Sequence, residues 1–265
     1  MSDPKAYRTE REWFVKDKII ATVPRAVPFE KEEKRSVDLY GDGIGRVDLV
    51  EYMGTDLTIV NSARVCYGKH KEALDEKDEK LVNYLVKHRH TSTFEHNVIT
   101  LRFLVPLFVR GQHHRHRTWS YNEISRRYTD VNIQFYEPKE FRTQHKNNHQ
   151  ASNAGELINP LMKNPVSYAD EALRDHHKSC LMLYGKLLDA GVCREQARGV
   201  LPQNMYTEYY GTVNLNNLLK FIDLRTHEGA QWEIQKVAEA CLEIAEGLWP
   251  VAVGAYRRAK NEPVS

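Results

Sequence analysis

The segment RHRTWSYNEISRRY, residues 115–128, concentrates hydrogen-bond donors. It contains four guanidinium groups, one imidazole, two serines and an asparagine, and its only aliphatic side chain is Ile124. Planar guanidinium forks bind phosphate oxygens in pairs, while hydroxyl and amide groups bind the acceptors of a planar heterocycle. The segment therefore predicts a site for a ligand that carries both a phosphate and a heterocycle.

The same residues allow two interpretations without a small-molecule site. One is a solvated basic loop, but Trp119, Tyr121 and Tyr128 alternate with the charges, and such large rings are unfavourable on a purely solvated surface. The other is a module for single-stranded nucleic acid, which would stack bases on these rings and bind with steep salt dependence. The formal net charge of the chain is only +2, which argues against nucleic acid as the partner.

Histidines near this segment raise the question of a metal site. His113, His114 and His116 lie close together in sequence, and His88, His90 and His96 lie upstream. The HH-x-H spacing does not place ligands one helical turn apart, no HExxH is present, and none of the four cysteines forms a CxxC pair. We therefore expect no metal and reduced thiols, and a metal-dependent hydrolase stays as a third function class.

Further polar residues with possible chemistry lie downstream. Arg198 lies in REQARGVLP, and Asn214, Asn216 and Asn217 lie in TVNLNN. Arg225 follows the apolar run FIDL and precedes a polar turn, which suits a charged group that projects from a helix end into a cleft. Taken singly, each of these residues also fits a helix cap or a surface charge.

The elements that must hold these residues follow from hydrophobic periodicity. Residues 46–53 alternate as a strand does, and residues 97–105 are rich in β-branched side chains and end at Pro106, where a short helix can begin. Between the strands, an amphipathic helix is predicted over 55–68 and a second over 75–90, which begins acidic and ends basic. These elements would place the basic segment on a rigid scaffold.

The rest of the chain is predicted to be mainly helical. Residues 137–168 are polar and contain three of the ten prolines, which predicts a long surface insertion. This order of elements favours an α+β fold, with a mixed or antiparallel sheet and a helical C-terminal half, over regular βαβ winding. Helices are predicted over 168–191 (closed by Gly191), 194–210 (bent at Pro202), 213–227 and 229–249.

Length and composition bound the class of protein. The 265 residues are 41% hydrophobic and 10% aromatic, which suits a folded core in one large domain or two small ones. The N-terminus, MSDPKAYRTEREWF, is charged and lacks the apolar segment of a secretory signal. No apolar run approaches the ~20 residues of a membrane span. We therefore expect a cytoplasmic protein that has no membrane partner.

RHRTWSYNEISRR fits, at every fixed position, the pattern RHRxxSxNxxSxR, and so resembles the flavin-dependent thymidylate synthases, or ThyX family. SARVCYG, HTSTFEH, ARGVLPQNMYTEYYGTVN and LRTHEGAQWEIQ also resemble ThyX segments in the expected order. The resemblance covers residues 46–136 and 170–250, and it implies a catalytic domain over 46–255 between an N-terminal extension, 1–45, and a C-terminal tail, 256–265. The seven fixed residues are Arg115, His116, Arg117, Ser120, Asn122, Ser125 and Arg127.

The resemblance implies the reductive methylation of dUMP to dTMP. Methylenetetrahydrofolate would donate the carbon, and FAD reduced by NADPH would donate the hydride. It also implies a homotetramer whose active sites are shared between subunits.

The resemblance also assigns roles to single residues. Arg225 is the catalytic position, where a fixed cation would stabilise negative charge on the uracil ring, and His90 lies on the folate side. Positions that bind dUMP in the family match Gln112, Arg115, Glu123, Ser125, Arg126, Arg127, Arg198 and Arg225. Positions that bind FAD match Ser92, Arg115, His116, Arg117, Glu123, Asn214, Asn216 and Lys220, the last of which varies among relatives.

The chain departs from the family pattern in places. The family often has proline before Phe-Glu-His, where this chain has Thr93, and the insertion 137–168 lies outside the resemblance. The insertion would either cover the cleft or contact a neighbouring subunit. Thymidylate synthases without flavin use a cysteine nucleophile, but no cysteine lies in the signature. We therefore expect Cys66 to be a packing residue, and Ser125 to be a binding group, since no base is evident to activate it.

Overall fold

The structure is a computed structural model that describes residues 36–148, 151–163 and 166–261, and the backbone of two strands before them. The chain divides into two units, residues 1–33 and 34–265. In the first unit, β1 (Glu12–Val15) pairs antiparallel with β2 (Lys18–Thr22). The rest of residues 1–35 lies outside the described residues.

The second unit contains the functional candidates. Short 3₁₀ turns at Val65–Tyr67, Thr91–Phe94 and Arg198–Val200 supplement its regular elements. In chain order these are β3 (Ser36–Asp38), β4 (Arg46–Met53), α1 (Asp56–Arg64), α2 (Glu76–Lys87), β5 (Val98–Pro106), α3 (Leu107–His113), β6 (Ser120–Glu123), β7 (Phe141–Gln144), β8 (Ser152–Leu157), β9 (Leu161–Lys163), β10 (Val166–Tyr168), α4 (Ala169–Asp189), α5 (Arg194–Ala197), β11 (Tyr206–Asn214), α6 (Leu215–Arg225), α7 (Trp232–Leu248) and α8 (Pro250–Asn261).

A five-stranded antiparallel sheet, in the order β3-β4-β5-β11-β6, forms the centre of this unit. Alternate residues of β5, from Ile99 to Val105, are fully buried, as period-two side chains on one face of a sheet must be. The apolar face of α7 belongs to the same core. The prediction of an α+β fold with an antiparallel sheet is confirmed, and so are the strands over 46–53 and 97–105.

The predicted helix over 194–210 is wrong. The α-helix covers only α5, a 3₁₀ turn ends it before Pro202, and residues from Tyr206 onward form β11, the strand between β5 and β6. The sequence YTEYYGTVN is rich in Tyr, Thr and Val, which favour strands, and its residues from Thr207 to Asn214 are alternately buried and more exposed. Proline removes a backbone donor and so helps to end the preceding turn.

The insertion 137–168 contains two short hairpins, β7 with β8 and β9 with β10, where the sequence predicted no regular structure. Its strands β8 and β9 are largely exposed. The predicted boundary between residues 255 and 256 falls within α8, whose first backbone N–H groups donate to the buried carboxylate of Asp56. Among the described helices, none has the length and apolarity needed to cross a membrane.

Candidate active site

The signature segment begins at the end of α3, turns, and becomes the edge strand β6. The single hydroxyl hydrogen of Tyr121 is shared between the backbone carbonyl oxygens of His113 and His116, at O–O distances of 3.0 and 3.2 Å, and so holds this turn closed. Because successive strand residues point to opposite faces, Tyr121 packs against the core while Ser120 and Asn122 are exposed. The spacing of the motif thus separates residues that build the scaffold from residues that face a ligand.

Aromatic residues of the segment belong to the scaffold. Trp119 is 6% exposed and packs edge-on against Phe103, with ring centroids 5.9 Å apart. His113 is fully buried, its Nδ1 lies 2.8 Å from the hydroxyl of Tyr209, and burial lowers its pKa well below the usual value, so the ring is neutral. Stacking of nucleic-acid bases on Trp119 is therefore excluded, and among the three rings of that interpretation only Tyr128 is exposed.

Arg225, His116 and Gln112 meet where α6 ends. The Nε atom of Arg225 donates to His116 Nε2 at 3.0 Å, and its Nη2 donates to the backbone carbonyl oxygen of Gln112 at 3.1 Å. Burial and the charge of Arg225 lower the pKa of His116 to about 4, so the imidazole is neutral and accepts the hydrogen bond. The guanidinium is fixed from two sides and half-buried, which suits a preorganised positive charge.

Glu123 is engaged within the protein. Its carboxylate forms a two-oxygen ion pair with Arg110, at 2.5–3.0 Å, and accepts a hydrogen bond from the hydroxyl of Thr207 at 2.7 Å. These bonds tie β6 to α3 and to β11. A carboxylate in this position keeps a fixed orientation and retains lone pairs for a ligand donor.

The two arginines that follow Ser125 have different surroundings. Arg126 is 8% exposed, and its guanidinium donates to the carbonyl oxygens of Val131 and Asn132 at 2.7 and 3.5 Å. Its geometry therefore favours a structural role, holding the loop after β6, over the predicted contact with dUMP. Arg127 is exposed, and its guanidinium lies 3.3 Å from the carboxylate of Glu195 on α5.

Two more predicted phosphate ligands lie near Arg127. The backbone N–H of Arg127 donates to the hydroxyl of Ser125 at 3.3 Å, so this serine shapes the loop. Arg198 is exposed and follows Glu195 by three residues, which places the two on one side of the same helical turns. Ser125 and Arg127 thus share one loop, Arg127 contacts Glu195 on α5, and Arg198 directly follows that helix.

Part of the set predicted to bind FAD lies around the first half of α6, and the rest lies on the signature segment. Asn216 and Lys220 line a cavity of about 450 Å³, together with Arg89 and part of the turn Thr91–Phe94, which contains Ser92. The amide of Asn216 is buried and donates to a carboxylate oxygen of Glu95 at 2.8 Å, while Asn214 caps α6 by accepting from a backbone N–H. His90 is exposed and precedes this turn.

Thr93 replaces the proline of the family pattern without loss of the turn. Its hydroxyl donates to the carbonyl oxygen of His90 at 3.1 Å, and its own carbonyl oxygen accepts from the hydroxyl of Ser62. Cys66, in contrast, does not have the predicted packing role, because it is exposed. Within the described ranges, no group of three or more His, Cys, Asp or Glu side chains could hold a metal ion.

The predicted site residues do not form one pocket within a single chain. Asn216 and Arg225 are separated by nine residues of α6, about 14 Å along the helix axis. Arg115 and Arg117 are exposed on the turn before β6. Within one chain these residues form a group at the start of α6, a group at its end, and a group next to α5.

Sequence reasoning missed several residues that support these groups. Arg110 pairs with Glu123, and Gln231 accepts a hydrogen bond from the side-chain amide of Gln112 at 2.5 Å. Glu233, 2% exposed, lies next to Gln231 at the start of α7. AQWEIQ contains two glutamines beside Glu233, so its local sequence does not single out this glutamate as buried.

Comparisons with known proteins identify the family of this chain. Residues 48–251 match the protein family described as thymidylate synthase complementing protein. The chain is 44% identical over 212 residues to the flavin-dependent thymidylate synthase of Thermus thermophilus, which covers 80% of this chain and 75% of that protein. It is 39% identical over 223 residues to the flavin-dependent thymidylate synthase of Treponema denticola, which covers 83% of this chain and 82% of that protein.

A solved structure has a similar fold. The UMP/dUMP methylase PolB of Streptomyces cacaoi, bound with 5-bromo-dUMP, superposes with a TM-score of 0.71 at 32% identity, which covers 84% of this chain and 97% of that one. Together, the match over 48–251 and these relatives show that this chain belongs to the family of flavin-dependent thymidylate synthases.

Proposed function

We propose that the chain catalyses the reductive methylation of dUMP to dTMP, with methylenetetrahydrofolate as carbon donor and FAD, reduced by NADPH, as hydride donor. The observation that carries the proposal is the fixed cation at the end of α6, where Arg225 is oriented by neutral His116 and by the Gln112 carbonyl. The solved relative that binds 5-bromo-dUMP supports dUMP as the substrate.

Arg225 would act on the uracil ring. Carbon 5 of the ring must become nucleophilic, and negative charge then develops on the ring oxygens. A guanidinium that is already half-desolvated and held by two hydrogen bonds stabilises this charge without having to reorganise. Gln112 lies beside it and would contribute polar contacts to the nucleotide.

The phosphate would be bound by the arginines around α5. Arg127 and Arg198 are exposed there, and a phosphate would displace the exposed contact between Arg127 and Glu195, which is 3.3 Å long and therefore weak. Arg115 is the further exposed fork on the signature turn. We assign Arg126 to the loop rather than to the phosphate, since backbone carbonyls occupy its guanidinium.

The residues at the start of α6 fit a flavin. The cavity combines apolar walls, from Leu85 and Leu219 among others, with the cations Arg89 and Lys220 and the amide of Asn216, as an apolar ring system with a polar edge requires. FAD bound there would supply the hydride. The protein's part is to orient the ring, to exclude water, and to favour an anionic reduced form through nearby cations.

Further predicted ligands complete this assignment. His90 would line the folate side next to the Thr91–Phe94 turn. The remaining predicted FAD residues would come from the Thr91–Phe94 turn, the turn before β6, the end of β6 and the cap of α6; they are Ser92, Arg115, His116, Arg117, Glu123 and Asn214.

We further propose a homotetramer with shared active sites. Within one chain the residues assigned to FAD lie at both ends of α6, about 14 Å apart, and exposed Arg115 and Arg117 face away from the core. Groups that are separated in one copy can be complementary between copies related by symmetry. Activity regained on mixing inactive Lys220→Glu protein with inactive Arg225→Ala protein would support sharing. A mixture that stays inactive after the subunits have exchanged would contradict it.

The direct test is an anaerobic assay with purified protein, FAD, NADPH, dUMP and methylenetetrahydrofolate, with the nucleotide product identified by mass. We expect dTMP only when FAD is present. Arg225→Ala should abolish turnover while the protein stays folded, whereas Arg257→Ala, which removes a surface ion pair with Glu246, is the matched control. Full activity of Arg225→Ala would defeat the role given to this cation, and absence of dTMP from the wild type would defeat the proposed reaction.

A further inference from the structure

A buried carboxylate lies close to the proposed nucleotide site. Glu233 is in the first turn of α7, and its side chain is 3% exposed. Its Oε1 accepts from Arg142 Nη2 at 2.6 Å and from the hydroxyl of Tyr136 at 3.1 Å, while its Oε2 accepts from Gln231 Nε2 at 2.9 Å. The carboxylate is therefore saturated on one oxygen and joined to Gln231 through the other.

Arg142 connects this carboxylate to the insertion. It lies on β7, its Nε donates to Ser152 Oγ on β8 at 3.0 Å, and its guanidinium lies over the ring of Trp232 at 5.4 Å. A buried carboxylate needs a counter-ion, and the arginine that supplies it here comes from the β7–β8 hairpin. The hairpin is thus anchored to the start of α7 by a charged pair.

The hydrogen bonds continue from Glu233 to Gln112 with a fixed polarity. An ionised carboxylate only accepts hydrogen bonds, so the NH₂ group of Gln231 must point to Glu233 and its oxygen must point away. That oxygen accepts from Gln112 Nε2 at 2.5 Å, which in turn fixes the amide of Gln112. The side-chain amide of Gln112 then has its oxygen and one N–H left for a ligand that binds beside Arg225, which itself donates to the backbone carbonyl of Gln112.

We propose that Gln231 and Arg142 are positioning residues for dUMP, which act through Glu233 and Gln112 to set the orientation of the Gln112 amide. This inference rests on the function proposed above, and it makes the β7–β8 hairpin part of the nucleotide site. A glutamine whose orientation is not fixed presents donor and acceptor interchangeably. Loss of the relay therefore weakens dUMP binding by the value of about one hydrogen bond, between three- and tenfold.

The test uses FAD-loaded protein and measures dUMP affinity by calorimetry, with KM for dUMP and kcat beside it. Gln231→Met breaks the relay but leaves the Arg142–Glu233 pair intact. We expect a dUMP affinity three- to tenfold lower, a matching rise in KM, and a smaller change in kcat. Arg142→Met should act in the same direction, and Arg142→Lys should recover part of the loss because the counter-ion is restored.

The matched control is Arg174→Met, which removes exposed contacts with Glu137 and Asp170 from α4 and should leave dUMP affinity unchanged. The deciding experiment repeats Gln231→Met in a Gln112→Ala background. If the relay acts through Gln112, Gln231→Met causes no further loss there.

Two results would overturn the relay. The first is a Gln231→Met protein that binds dUMP with wild-type affinity. The second is a loss of dUMP affinity from Gln231→Met that is as large in the Gln112→Ala background as in the wild type, because the substitution would then loosen the site without acting through Gln112. Thermal unfolding of each variant separates both results from misfolding. A wild-type protein that neither binds dUMP nor forms dTMP refutes the proposed function itself, and the inference with it.

Discussion

The neutral imidazole of His116 makes a specific prediction about stability and pH. The pKa of His116 in the folded protein is about 4, below the usual 6.5, because burial and the charge of Arg225 disfavour the imidazolium. Between pH 6.5 and pH 4, His116 therefore binds a proton in the unfolded chain but not in the folded protein. The contribution of this histidine to stability is complete above pH 6.5 and declines as the pH falls towards 4.

The size of the effect follows from these two pKa values. The whole difference corresponds to about 3 kcal/mol, at about 1.4 kcal/mol for each pKa unit. Between pH 7 and pH 5 about 2 kcal/mol of this would be lost. His116 is only half-buried, and solvent screening reduces the expected loss to about 1 kcal/mol.

The measurement compares wild type with His116→Asn by urea unfolding at pH 7 and pH 5, at one protein concentration. Asparagine keeps an acceptor for Arg225 but does not titrate. We expect wild type to lose about 1 kcal/mol more than the variant over this range, whatever the variant's stability at pH 7. The control is His88→Asn, an exposed histidine at the end of α2. Parallel pH profiles of wild type and His116→Asn would refute the argument that Arg225 keeps this imidazole neutral.

Three substitutions in the scaffold should each lower stability in urea unfolding. Tyr121→Phe removes the hydroxyl hydrogen that two carbonyl oxygens of the signature turn share and should cost about 1–3 kcal/mol; an unchanged midpoint would mean that this contact is not formed in solution. Asp56→Ala removes the acceptor at the start of α8 and should cost about 1–2 kcal/mol, detectable as lost helical circular dichroism. In Gly211→Ala the new Cβ would lie 3.0 Å from the Phe103 ring and 3.1 Å from Trp119, so we expect a loss of about 1–3 kcal/mol and an altered near-ultraviolet spectrum.

The sequence predicted the elements whose periodicity is strong. The strand over 46–53 and the helix over 75–90 lie within a few residues of β4 and α2, because each has either clear alternation or a capping residue. In α2, Asp75 accepts from two backbone N–H groups at the helix start, as the acidic beginning of the segment indicated.

Other features could not be read from local pattern. Most of β11 was predicted as helix because the segment from Arg194 begins helically. The Tyr, Thr and Val residues of YTEYYGTVN favour a strand, but this local preference is weak, and pairing with β5 over the whole strand decides the structure. The hairpins in the insertion depend likewise on contacts remote in sequence, such as that of Arg142 with Glu233. The motif predicted which residues bind ligands, but not which neighbours hold them.

The signature segment has so many donors because it has two tasks. Its strand β6 alternates, so residues on one face build the scaffold while those on the other are exposed, and the same division appears among its arginines. The guanidinium of Arg126 donates to backbone carbonyl oxygens and so closes the loop, whereas the guanidinium of Arg127 remains exposed beside α5. A loop closed by a buried cation holds its exposed neighbour in place with little loss of conformational freedom on binding, which is the advantage of preorganisation. Fixed spacing in the motif is therefore a consequence of geometry: shifting the register of β6 by one residue would exchange the scaffold face for the exposed one.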